Sequence, residues 1–195
     1  MPPPPRPNLK DERAQATRRK ILVAATELFA RRGYHKTSTA DLAATIGMTQ
    51  GAVFHHFASK EALLHAVLER LARGLEAYRA LLEGPASAGS VHRVVDLMVE
   101  HFKRQPEATI CLAALATEFA GSGDPVLETI RRIYDSFVVP FEEVLARHPR
   151  VSSPRVAAVS FIGAVQGIAI QGLLREGNPS IDVLARGFLE MLGDW

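Results

Sequence analysis

One cysteine, Cys111, occurs among 195 residues. A lone thiol excludes an internal disulfide framework and any metal site built on cysteines, and a reducing cytoplasm fits such usage. The opening Met1 and Pro2–Pro5 hold no apolar stretch of the kind a secretory signal needs, so export is not expected. No internal repeat is visible. No segment sustains the apolar–polar alternation of a strand, which points to an all-α chain. The motifs of common enzymes are missing too. There is no HExxH, no GxSxG, no glycine loop shaped for phosphate and no paired Cys/His, while Glu142-Glu143 reads as a solvated face. Neither a catalytic residue nor a cofactor is expected. Adjacent His55 and His56 point in different directions on a helix, so they are not expected to share a metal.

Charge is absent over one long stretch. From Val156 to Leu174 no residue is ionisable, and that run is long enough to cross a bilayer. It also holds Ser160, Gln166, Gln171 and three glycines, which weaken insertion. A buried helix at a subunit interface explains it better, and no membrane partner is expected.

What remains is ordinary for a globular domain: 47% hydrophobic and 23% charged residues, enough to bury roughly 70% of the unfolded surface. The net charge of +2 is unevenly spread. Residues 1–60 hold ten Lys/Arg against four Asp/Glu, and residues 61–195 hold thirteen against seventeen. A basic front on an acidic body suggests that the front meets a polyanion.

Residues 1–12, proline-rich and then charged, read as a disordered arm whose Arg6 and Lys10, with Arg13 beyond, can reach DNA. Helical periodicity then begins. Ile21, Leu22, Ala25, Leu28 and Phe29 form one face of a helix over 14–32, stopped by Gly33. A short helix spans 38–46 with Thr37 as its expected N-cap, and another spans 50–57 behind Thr49. Ser59 opens a long connector helix with apolar Leu64, Val67, Leu68 and Leu71. A linker is expected at 83–90. Helices are then expected at 91–104, 107–120, 124–147, 154–176 and 180–192, divided at Gln105-Pro106, Gly121-Ser122-Gly123, His148-Pro149 with Ser153-Pro154, and Gly177-Asn178-Pro179.

The sharpest pattern lies in 38–57. Leu42, Ile46, Val53 and Phe57 turn inward, Ala43 permits a close crossing, and Gly47 supplies the turn. Thr49, Gln50, Gly51, Ala52 and His55 are left outward at the front of the second short helix. These are the properties of a helix-turn-helix, whose second helix enters the major groove N-terminus first. Gln there suits adenine edges and Ala a thymine methyl. Thr37, Ser38 and Thr39 open a helix whose free N–H groups suit phosphate.

From Gly33-Tyr34-His35-Lys36-Thr37 through Ile46-Gly47-Met48-Thr49-Gln50-Gly51-Ala52-Val53-Phe54-His55-His56-Phe57 to Ser59-Lys60-Glu61, the chain resembles the TetR-type transcriptional regulators. The resemblance covers about residues 13–71. It implies a three-helix DNA-binding domain over 13–60 and a helical effector-binding and dimerisation domain over 61–195, with about nine helices in all. It implies DNA contacts by Thr37, Ser38, Thr39, Thr49, Gln50, Gly51, Ala52, His55 and His56, with Lys60 as a phosphate-binding lysine. Phe54 departs from the tyrosine many members carry and lacks the hydroxyl that reaches phosphate. A small-molecule effector of unknown identity is expected in the second domain. Polar residues on apolar stretches are the pointers to it: His101, Glu118, Tyr134, Gln166 and Gln171, with Phe102, Phe137 and Ile170 as apolar neighbours. Gly163 and Gly167 share a helix face; with Ile181, Leu184 and Phe188 they resemble the family's dimer-forming helix pair. Cys111 reads as a small buried hydrophobe, with a redox- or electrophile-sensing thiol as the alternative.

The function expected is that of a homodimeric repressor released from a palindromic operator on double-stranded DNA by its effector. The alternative is a helical ligand-binding or interaction protein that does not act on DNA.

Overall fold

The computed structural model describes residues 9–82, 89–147, 150–176 and 178–193. Four expectations fall outside them in whole or in part: the arm over residues 1–8, the linker over 83–88, and the boundaries at His148-Pro149 and Gly177. The described residues form nine helices in order and no strand: α1 (Leu9–Arg32), α2 (Thr39–Thr45), α3 (Gln50–His56), α4 (Lys60–Leu82), α5 (Gly89–Arg104), α6 (Pro106–Phe119), α7 (Val126–Leu145), α8 (Pro154–Leu174) and α9 (Ile181–Leu192). Helix limits differ from expectation by one or two residues in most elements, and two of the differences reassign named residues. The first helix already begins at Leu9, so Lys10 and Arg13 belong to α1 rather than to an arm, and Gly89 and Ser90 open α5 instead of ending a linker.

The three front helices close on Ile21, Ala25, Phe29, Leu42, Ala43, Val53 and Phe57, all buried. This core continues through Leu63, Val67 and Leu68 of α4 into Cys111, Leu115 and Phe119 of α6 and Ile130 and Ile133 of α7. The front domain and the base of the body thus share one apolar core. A second core joins α5, α7, α8 and α9 around Val95, Phe141, Ala158, Phe161 and Val165. Tyr134 and Phe137 of α7 pack against both.

Ends are set by local chemistry. α1 stops where Gly33 adopts φ +81. Ser38, not Thr37, caps α2: the Asp41 N–H donates to Ser38 Oγ, and the Ser38 N–H donates to Asp41 Oδ2 at 3.0 Å. Thr49 Oγ1 accepts the Ala52 N–H at the head of α3. The far ends are capped from α1. Lys20 Nζ donates to the Ile46 carbonyl at 2.9 Å, and an Arg18 guanidinium nitrogen to the His56 carbonyl at 3.1 Å. Cations thus meet the carbonyl ends of α2 and α3, where the helix dipole favours them.

Candidate nucleic-acid interface and effector cavity

α2 and α3 cross over the turn at Gly47, which holds φ +67. At the head of α3, Thr49, Gln50 and Gly51 are exposed and Ala52 is half-buried. His55 is exposed and His56 half-buried, their rings edge to face at 5.5 Å. Gln50 Nε2 donates to Thr39 Oγ1 at 2.8 Å, so the tips of the two helices are tied on the outer face. Ser38 is exposed beside them. Thr37 is placed elsewhere. It is 2% exposed, and its hydroxyl donates to the Gly33 carbonyl at 2.7 Å. Its side chain braces the α1–α2 turn inside the domain and does not belong to the outward set.

Lys60 begins α4 close by. Its ammonium lies 4.2 Å from the centroid of the Tyr34 ring and 3.4 Å from the His35 carbonyl. Burial draws its pKa down, opposed by the negative charges of Glu118 and Glu61. The Tyr34 hydroxyl is pushed up to about 12, mainly by burial and then by Glu61, Asp124 and Glu118. The two α1 cations that hold this geometry, Arg18 and Lys20, were not singled out from sequence. Arg18 also stacks on Phe57 at 4.2 Å. Their signal, basic residues between apolar positions of a helix, is the same as that of any solvated face.

In the body, the residues expected to meet an effector come together around two adjoining cavities. The inner one, about 100 Å³, lies among helices α4 to α9 and includes His101, Phe102, Tyr134, Phe137 and Gln166 in its lining. Gln166 Nε2 donates to the Tyr134 hydroxyl at 2.7 Å. Burial lowers the His101 pKa and raises that of Tyr134, so both are neutral at pH 7. The outer cavity, about 490 Å³ and more open, is lined in part by Phe102, Glu118, Gln166 and Ile170. Gln171 turns away from both and pairs with Arg175. Cys111 is fully buried, and burial pushes its thiol up to about 12; it is an uncharged core group at neutral pH.

The expected dimer-forming residues divide. Gly163 is exposed and Gly167 half-buried on α8. Ile181 packs on Gly172 and lines the inner cavity, and the Phe188 ring lies 5.7 Å from that of Phe161, so both serve their own core. The exposed apolar side chains on these two helices are Val156, Val159, Ile170, Leu173 and Leu174 of α8 with Val183 and Met191 of α9. α8 is long and apolar enough to cross a membrane by length and composition alone, but Ala158, Phe161, Ile162, Val165 and Ala169 are committed to the core.

A short helix presented cap-first beyond a tight turn, braced by a second short helix and a third behind, has the geometry of a helix-turn-helix. Residues 21–67 match the family described as "Bacterial regulatory proteins, tetR family". The transcriptional regulator UidR of Escherichia coli K12 is 35% identical over 117 residues, 60% of this chain and 56% of that protein. The chain therefore matches just over half the length of that relative. The transcriptional repressor Rv1474c of Mycobacterium tuberculosis is 43% identical over 61 residues, 31% of this chain and 33% of its own. In overall fold the chain is similar to a TetR-family regulator from Agrobacterium tumefaciens, with TM-score 0.75 at 22% identity over 91% of this chain and 98% of that one. It is also similar to AibR, solved with isovaleryl coenzyme A and operator DNA, with TM-score 0.76 at 24% identity over 89% and 96%. Over residues 21–67 the chain is thus similar to the TetR family of transcriptional regulators, and its overall fold is similar to that of solved members.

Proposed function

We propose that this chain is a cytoplasmic, homodimeric, non-enzymatic repressor that binds a palindromic operator and is released by a small molecule bound in its body. The observation that carries the reading is the exposed tip of α3, with Gln50 tied to Thr39 and flanked by Ser38, Thr49, Gly51, Ala52 and His55. In this reading Gln50 and Ala52 meet base edges, while Ser38, Thr39 and Lys60 anchor phosphates. The exposed apolar strip of α8 and α9 supports pairing of two copies, which sets two α3 tips one helical turn of DNA apart, about 34–36 Å. The adjoining cavities support an effector site, and the solved complex of AibR is a precedent within the fold for acyl-coenzyme A and operator DNA on one protein.

The test is fluorescence anisotropy on an operator selected by the full chain from random duplexes. Affinity should fall steeply as salt rises, because phosphate contacts release counterions. Lys60→Ala should weaken binding across sequences and flatten the salt slope by about one. Gln50→Ala should instead relax base choice at one position in each half-site, at about 1–3 kcal/mol. A chain that selects no duplex, or whose affinity ignores both substitutions, does not use this face on DNA.

A further inference from the structure

Glu118, near the end of α6, belongs to two places at once. On one side its carboxylate accepts the backbone N–H groups of Tyr34 and His35, both at 2.7 Å. The fit is close: a Cβ built on Gly33 would lie 3.0 Å from Oε2. Phe119 stacks on the rings of Tyr34 and His35 at 5.6 and 5.3 Å. The α1–α2 turn, which orients the front domain and seats Lys60, is therefore held by one carboxylate of the body.

On its other side the same residue lines the outer cavity between α6 and α8. Phe102, Thr109, Gln166 and Ala169 line both this cavity and the inner one, so the two adjoin through a shared wall. Among the described residues lining either cavity, Glu118 is the one carboxylate, and none is Lys or Arg. The walls of the inner cavity are aliphatic and aromatic apart from His101, Thr109, Tyr134 and Gln166.

We infer that the outer cavity takes an amphipathic ligand whose apolar tail lies against the wall shared with the inner cavity and whose ammonium head competes with the Tyr34 and His35 amides for the Glu118 carboxylate. The inference rests on the regulator reading above and names its effector class. The amide hydrogen bonds to this carboxylate are already charge-assisted, and an ammonium competes with them by adding a full opposite charge where each amide offers only a dipole. An acidic head brings no donor and meets a like charge, while the shared wall receives the tail. With Glu118 drawn into the cavity, the turn at Gly33–His35 loses its anchor, and the position of Lys60 against Tyr34 is no longer set. Ligand and operator then favour different states of one latch, which is what a release mechanism requires.

The full chain tests this with three probes of equal tail length, octylamine, octanol and octanoate, each below its self-association range. Thermal unfolding reports binding, and anisotropy on the selected operator reports release. Octylamine should raise the melting temperature and weaken operator binding about tenfold, within the usual span of such coupling; octanol should do less and octanoate nothing. Glu118→Gln should erase the difference between amine and carboxylate probes. Should that variant fail to fold, Ala114→Phe, which fills the outer cavity one helical turn before Glu118 and leaves the carboxylate in place, should abolish the octylamine response. Equal effects of octanoate and octylamine, no response to any probe, or full responses in the variants would overturn the inference. The regulator reading fails separately, if the unliganded chain shows no salt-dependent operator binding.

Discussion

His101 shows what burial does to one titratable side chain. It lies in the wall of the inner cavity, and desolvation lowers its pKa from the ordinary 6.5. The unfolded chain then binds a proton at a pH where the folded chain does not, so stability must rise with pH through that window and fall as the solution is acidified below 6.5. Urea unfolding between pH 7 and pH 5 checks this. The wild-type midpoint should drop more than that of His101→Phe, and parallel curves would mean that the imidazole is solvated in the folded state. At the same scale, neighbours in space decided what spacing left open. Thr37 stands in a run of three hydroxyl residues, and its sequence position alone favours a cap or a phosphate contact. The Gly33 carbonyl, brought back by the glycine's positive φ, turns its hydroxyl inward instead. The cap passes to Ser38, whose partner Asp41 was in the sequence three residues on.

Among the elements, α2 is the most exposed to such detail. It has only seven residues, too few to be stable alone, so its ends matter more than its propensity. Its head is closed by the reciprocal Ser38–Asp41 pair, which also holds the Asp41 carboxyl below the usual range, and its tail by Lys20. Ser38→Ala should cost about 1 kcal/mol in chemical denaturation. A loss close to zero would mean that water replaces the cap without penalty. Apart from the start of α1 and the cap of α2, helix limits in the front domain were readable because glycines and apolar period agree there. α8 was less readable: its uncharged run is apolar on every side, so no period separates the core face from the exposed one. Only packing against α7 and α9 assigns Phe161 and Val165 inward and leaves Val156 and Val159 outward.

For the whole molecule, the question is what covers that outward strip. Val183 and Met191 of α9 are 51% and 83% exposed as well. An exposed apolar strip of this kind marks a site of association. The double change Val159→Glu with Val183→Glu should shift the chain from dimer to monomer in analytical ultracentrifugation and weaken operator binding along with it. A variant that stays dimeric would place the interface on another face.

Sequence alone determined the helical class, the tight turn at Gly47, the inward set of Leu42, Val53 and Phe57, and the outward tip of α3. All of these follow from period, caps and glycines within a few residues of one another. It also marked Glu118 as a polar group in an apolar stretch. Only the tertiary structure decided where that carboxylate goes, because its partners lie 84 and 83 residues away and no local rule selects them. The same holds for the division of Ile181 and Phe188 from Val183 and Met191: which side of an apolar helix meets its own chain is settled by close packing among helices distant in sequence.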